Sequence, residues 1–218
     1  MTAEPQPKTT SPTPWQAYKR QRIQEAVIRL MCRDGLAAVT MERVAQEVGI
    51  AKGTVYLHYR DKQELLESVK ESALSPMLAR VDEALAGDLA ADRKLEAFSS
   101  RYLAYFDERR DLFRILLYER ASSRVYGSRF QSERYRHMQS SLAAVIAAGI
   151  DEGIFRRVDP QKTAAMFLDA NFGIVNQRLL TEDRTPVQED AALVSEIFLI
   201  GIRSVPSAPG SVARRIAS

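Results

Sequence analysis

The sequence predicts an all-α protein, in which an N-terminal three-helix unit with a helix-turn-helix precedes a larger helical domain. Three observations carry that expectation. Between the chain ends, apolar residues recur three and four apart, the spacing that lines one face of a helix. No stretch joins β-branched alternation to hairpin turn residues. Glycine and proline fall at helix-length intervals, where helices stop or start.

Taken in order, residues 1–14 hold four prolines and almost no large apolar side chain, so they are expected to be a disordered tail. The helix-turn-helix domain is expected over 15–75, with its motif at 40–59. Ile23, Ala26, Val27, Leu30 and Met31 place one stripe on a first helix that stops at Asp34 and Gly35. Thr40 then caps a second helix, with Glu42 in the first turn and Val44, Ala45 and Val48 facing inward. Gly49 ends it after barely two turns. A third short helix follows over about 51–59, and a longer one starts near Asp61, carries Leu65, Leu66 and Val69, and is expected to end before Pro76. The second domain, 76–204, breaks at Gly87, at Arg109 and Arg110, around Gly127, at Gly153, and before Pro160 and Pro186, giving five or six further helices. Residues 205–218 are expected to be a second flexible tail.

Composition excludes several function classes. The net charge is only +3, so attraction to a polyanion must come from clustering, and residues 15–60 carry eight Lys and Arg against four Asp and Glu. One cysteine, Cys32, excludes an internal disulfide and a cysteine-based zinc site. With two histidines, no Gly-rich phosphate loop and no carboxylates at metal-ligand spacing, the chain offers an enzyme little chemistry, and no metal or cofactor is expected. The longest apolar run, 142–150, is far too short to span a membrane, and a cytoplasmic protein is expected.

The motif carries the chemistry. Gly49 permits the positive φ of a sharp turn, and Val44, Ala45, Ile50 and Val55 lock the two short helices together. Lys52, Thr54, Tyr56 and His58 are outward-pointing donors, and Gly53 removes a side chain where the backbone can approach a ligand. This run strongly resembles the TetR-type repressor family, from the first helix through Lys62, Leu65 and Leu66. The resemblance implies that the third helix enters the major groove of an operator. Thr40 would then cap the second helix at the DNA backbone, Lys52, Thr54 and Tyr56 would hold phosphate or base edges, and Lys62 would hold a phosphate. Arg43 fits a DNA contact and a solvated helix position alike, and His58 fits DNA contact and packing equally. Tyr59 is expected in the core. Two departures stand out: Ala51 replaces a frequent serine at the start of the third helix, and Leu57 offers bases only apolar contact, for instance with a thymine methyl.

The resemblance further implies a homodimer, paired through 160–181 and 187–204 in a four-helix bundle, reading an inverted repeat. Phe98, Tyr102, Phe106, Tyr118, Met138, Met166, Asn171 and Phe172 are the candidates for lining a largely apolar pocket for a small hydrophobic or amphipathic effector. Asn171, Gln177, His137 and Glu119 are its candidate polar anchors. Repression relieved by that effector is the expected mode; sequence-indifferent DNA coating, and activation or control by a protein partner, are the other readings.

Overall fold

The structure, a computed structural model, describes residues 13–118, 133–181 and 183–204. Nine α-helices occupy the described residues: α1 (Pro14–Asp34), α2 (Met41–Val48), α3 (Lys52–His58), α4 (Lys62–Ala86), α5 (Ala91–Asp107), α6 (Arg110–Tyr118), α7 (Glu133–Asp151), α8 (Pro160–Leu180) and α9 (Val187–Ile202). The expected break near Gly127 and both expected tails, apart from Thr13 and Pro14, lie outside the described residues. The chain divides into two compact units, Met1–Pro76 with Asp111–Ser123 and Met77–Arg110 with Arg124–Ser218.

In the first unit, Thr13 opens α1 with a reciprocal cap. Its hydroxyl accepts from the Gln16 N–H, the Gln16 amide oxygen accepts from the Thr13 N–H, and Pro14 fills the first helical position. The predicted stripe of Ile23, Ala26, Val27, Leu30 and Met31 is fully buried. A 3-10 turn, Leu36–Ala38, leads to α2, where the Thr40 hydroxyl accepts from the Arg43 N–H at 3.2 Å. Gly49 closes α2 in the left-handed conformation, φ 76° and ψ 37°, with its N–H on the Ala45 carbonyl. That residue turns the chain into α3, and Val44, Ala45 and Val55 bury the joint.

One boundary differs from expectation: α4 does not end before Pro76 but runs through it to Ala86. Proline interrupts a helix at a cost of about 3 kcal/mol. Here Val69, Ala73, Met77 and Val81, four residues apart, are all buried, and the gain from covering that stripe outweighs the local penalty.

In the second unit, Leu95, Phe98, Tyr102 and Phe106 form a buried stripe on α5. Phe98 stacks on Tyr102, with centroids 5.4 Å apart, and meets Phe167 of α8 at 5.7 Å; Phe167 meets Phe198 of α9 at 4.6 Å. Asp159 caps α8 by accepting from the Gln161 and Lys162 N–H groups, and Pro160 takes the first helical position. The connection after α7 turns at Gly153, φ 76°, and is fastened to the end of α9 by an isolated antiparallel bridge, Phe155 to Arg203.

The same unit holds a buried charge cluster. Arg178 of α8, 4% exposed, donates to the Asp107 carboxylate of α5 at 3.1 Å, to the Thr185 carbonyl at 2.8 Å, and to Asp190 of α9. Asp107 also accepts from Arg110, which donates in turn to the Asp183 carbonyl at 2.6 Å. Burial works against the Asp107 carboxylate, but the guanidinium groups of Arg110 and Arg178 outweigh it and hold its pKa below the ordinary 3.8.

Candidate nucleic-acid interface

The short helix α3 is buried along one side only. Val55 and the following Tyr59 face the core, while Lys52, Gly53, Tyr56 and Leu57 face solvent and Thr54 is half-buried. Leu57 is 84% exposed, the largest value among the exposed large apolar residues described. A leucine held in water gains nothing for a monomer, and its position fits the apolar base contact expected of it. No side chain caps α3 at Ala51; the Thr54 N–H donates to the Ala51 carbonyl at 2.8 Å, which leaves the Lys52 and Gly53 N–H groups as the first-turn donors.

Ion pairs hold several of the predicted residues in place. Lys52 pairs with Glu42 across α2 and α3, and its ammonium lies 5.7 Å from the Tyr56 ring centroid. The hydrogen bond from Lys52 lowers the Glu42 pKa, and Glu42 raises that of Lys52. Both groups are solvent-exposed, where water screens the pair, so Lys52 can exchange Glu42 for a phosphate at small cost. Arg43 is exposed and bonds Asp34 at 2.6 Å. Glu47 receives Arg29 and Arg33 and ties α2 to α1.

His58 and Lys62 are less free than the first turn of α3. The imidazole is half-buried; burial first, then the charges of Arg20 and Lys19, push its pKa below the ordinary 6.5. It is therefore neutral at pH 7 and offers a hydrogen bond without a charge. Lys62 is half-buried and donates to the Leu36 carbonyl at 3.2 Å, which leaves two of its three N–H donors for another acceptor. The structure thus brings Thr40, Arg43, Lys52, Gly53, Thr54, Tyr56 and Leu57 to the surface of α2 and α3, with His58 and Lys62 partly recessed.

Gly53 gives a test of this surface. A Cβ built there meets nothing within 4 Å. Gly53→Ala is expected to raise thermal stability, by up to about 1 kcal/mol from helix propensity. It is also expected to weaken DNA binding, because the added methyl occupies the backbone's approach to phosphate. Calorimetric melting and fluorescence anisotropy on the same preparation check both signs.

The predicted effector residues separate in space. Phe98, Tyr102, Phe106, Met138 and Asn171 are buried in the second unit, and Phe172 is half-buried. Met166 is 67% exposed: one residue of helix phase puts Phe167 into the core and Met166 outside it. The Tyr118 side chain and Glu119 lie outside the described residues. His137 bonds Asp82 at the surface, and Gln177 is exposed, so neither joins the buried aromatics. Two groups escaped the sequence reading: the Arg178 cluster, whose members are scattered along the chain, and the exposed aromatics Trp15 and Tyr18 at the start of α1.

Comparison with known proteins agrees with this geometry. Residues 23–69 match the family of bacterial regulatory proteins, TetR family, and residues 88–176 match the tetracyclin repressor-like C-terminal domain. The chain is 27% identical over 190 residues to the uncharacterized HTH-type transcriptional regulator YfiR of Bacillus subtilis, covering 83% of this chain and 90% of YfiR. It is 34% identical over 93 residues to another B. subtilis regulator, YerO, covering 43% of this chain and 32% of YerO. Among solved structures, a TetR transcription regulator from Haloarcula marismortui superposes with a TM-score of 0.73 at 23% identity, over 86% of this chain and all of that one. The TetR-family regulator PfmR from Thermus thermophilus gives 0.63 at 24% identity, over 85% of this chain and 98% of its own. The amino-terminal match spans the α2–α3 surface, and the second match runs from the start of α5 through most of α8. The chain belongs to the TetR family and is a DNA-binding transcriptional regulator, not an enzyme.

Proposed function

We propose that the protein is a homodimeric repressor that holds an inverted-repeat operator and is released from it by a small apolar or amphipathic effector. The observation that carries the dimer is an apolar stripe exposed on α8 and α9. Met166 and Leu180 of α8 are 67% and 65% exposed; Leu193, Ile197 and Ile200 of α9 are 52%, 64% and 70% exposed. They recur at helical spacing, and exposed Ala170 and Gly173 lie between Met166 and Leu180, where a neighbouring backbone can approach. Exposed apolar side chains lined up in this way suit an interface, and two such helices from each of two copies make a four-helix bundle.

Ile197→Glu is the variant of choice. Burying a glutamate from each copy in an apolar bundle is expected to weaken association at least about a hundredfold, or about 2.7 kcal/mol. Sedimentation of the variant should show monomer at concentrations where the wild type is dimeric, and footprints on genomic fragments selected by the wild type should show two-fold symmetry. A monomeric wild type, or a footprint without an inverted repeat, contradicts the reading.

For the effector, the supporting feature is Asn171. Its amide N–H donates to the Phe167 carbonyl at 2.9 Å, which directs the amide oxygen away, and that oxygen is buried without a hydrogen-bond partner. A buried orphan acceptor one turn from the Phe98 and Phe167 contact is suited to a ligand that brings a donor. An effector that disfavours the DNA-competent dimer by about 1–3 kcal/mol weakens operator affinity roughly 5–150-fold.

A further inference from the structure

We propose that one face of α1, formed by Trp15, Tyr18, Lys19 and Arg22, is a second DNA contact that grips the sugar-phosphate backbone beside the stretch read by α3. The inference rests on the DNA-binding role already assigned and extends it beyond the helix-turn-helix. The four residues stand at i, i+3, i+4 and i+7, one side of a helix. One turn further along, Ile23 and Ala26 are fully buried, whereas Trp15 and Tyr18 are 63% and 50% exposed. The two rings stack with centroids 5.7 Å apart, and the Lys19 ammonium lies 5.0 Å from the Trp15 centroid. The face is therefore prearranged, not a loose set of side chains.

Its place and charge select the occupant. Arg20, on the same turns, donates to the His58 carbonyl at 3.2 Å and lies over the Tyr59 ring at 4.5 Å, which fixes this end of α1 against the carboxyl end of α3. The fields of Lys19 and Arg20 reach the His58 imidazole. Residues 13–24 contain Lys19, Arg20 and Arg22 and no aspartate or glutamate. With the Lys19 charge reaching His58 at the end of α3, the face stands beside the polyanion that α3 engages. Lys19 and Arg22 supply charge, the indole N–H and phenol O–H donate to phosphate oxygens, and the rings pack on deoxyribose.

Phosphate contacts strengthen binding to all sequences alike and set the salt dependence, whereas base contacts set preference. The full-length Lys19→Ala/Arg22→Ala variant is expected to bind a genomically selected duplex and a scrambled duplex more weakly by a similar factor, about tenfold, with a salt slope smaller by about 0.9 per lost contact. Trp15→Ala/Tyr18→Ala should lose affinity with the slope unchanged, since its donors are neutral. Both variants should melt like the wild type. Wild-type affinity and slope in the Lys19/Arg22 variant overturn the proposal, as does a change in specificity alone. So does loss of binding to phosphatidylserine vesicles with DNA affinity intact, which assigns the face to a membrane. A wild-type chain that does not discriminate the two duplexes overturns the underlying DNA-reading role as well, which distinguishes the two failures.

Discussion

Replacing Arg178 with methionine is expected to destabilise the second unit by about 3 kcal/mol, the low end of the cost of breaking a buried ion pair. The guanidinium is 5% exposed, while its partners Asp107 and Asp190 are 30% and 23% exposed, so water recovers part of their solvation when it is lost. Methionine keeps the apolar stem, and the loss falls on the charge and its bonds to α5, α9 and the Thr185 turn. At about 2–4 °C per kcal/mol for a chain of this size, Tm should fall about 6–12 °C. The sign with pH follows from the depressed Asp107 pKa. That carboxylate contributes fully above its unfolded value of 3.8 and loses its contribution as pH falls through the lower folded value. The variant's penalty should therefore shrink below about pH 4. Urea unfolding at neutral pH and at pH 3 measures it; an equal penalty at both contradicts the charge account.

Gly149→Ala is the second large effect, expected to cost about 2 kcal/mol although alanine is the better helix former. The new Cβ would stand 2.4 and 2.5 Å from the Phe155 ring and 2.8 Å from the Ala91 Cβ. Neither neighbour yields cheaply. Phe155 is 2% exposed, its N–H is bonded to the Gly149 carbonyl at 2.9 Å, and its backbone is clamped by the Arg156 and Ser204 bonds across the bridge. Ala91 has no rotamer to change. Phe155→Leu should relieve the clash, so a double-mutant cycle should show favourable coupling between the two substitutions. Additive losses would place the strain elsewhere.

The DNA-reading head was legible because its signals are local. The Thr40 cap, the Gly49 turn and the stripe from Ile23 to Met31 each lie within a few residues of what they determine. Pro76 misled for the same reason: the local rule ends a helix there, and the buried stripe around it prevails. The Arg178 cluster had no local signal, since Arg178 and Asp107 are 71 residues apart and an arginine on a helix reads as solvated. Met166 and Phe167 are both apolar neighbours, and only the packed structure fixes which enters the core. Trp15 continues a helical pattern whose period is visible in sequence, but not where its cover stops.

Among the described residues, no helix is long and apolar enough to cross a membrane, and the surface of α2 and α3 is the feature on which the account rests. The most direct test is the ratio of affinities of the purified chain for a genomically selected duplex and a scrambled duplex of equal length at physiological salt. A preference of at least about a thousandfold is expected, reduced by Lys52→Ala together with Tyr56→Ala. Equal affinity for both duplexes, governed by salt alone, would contradict it.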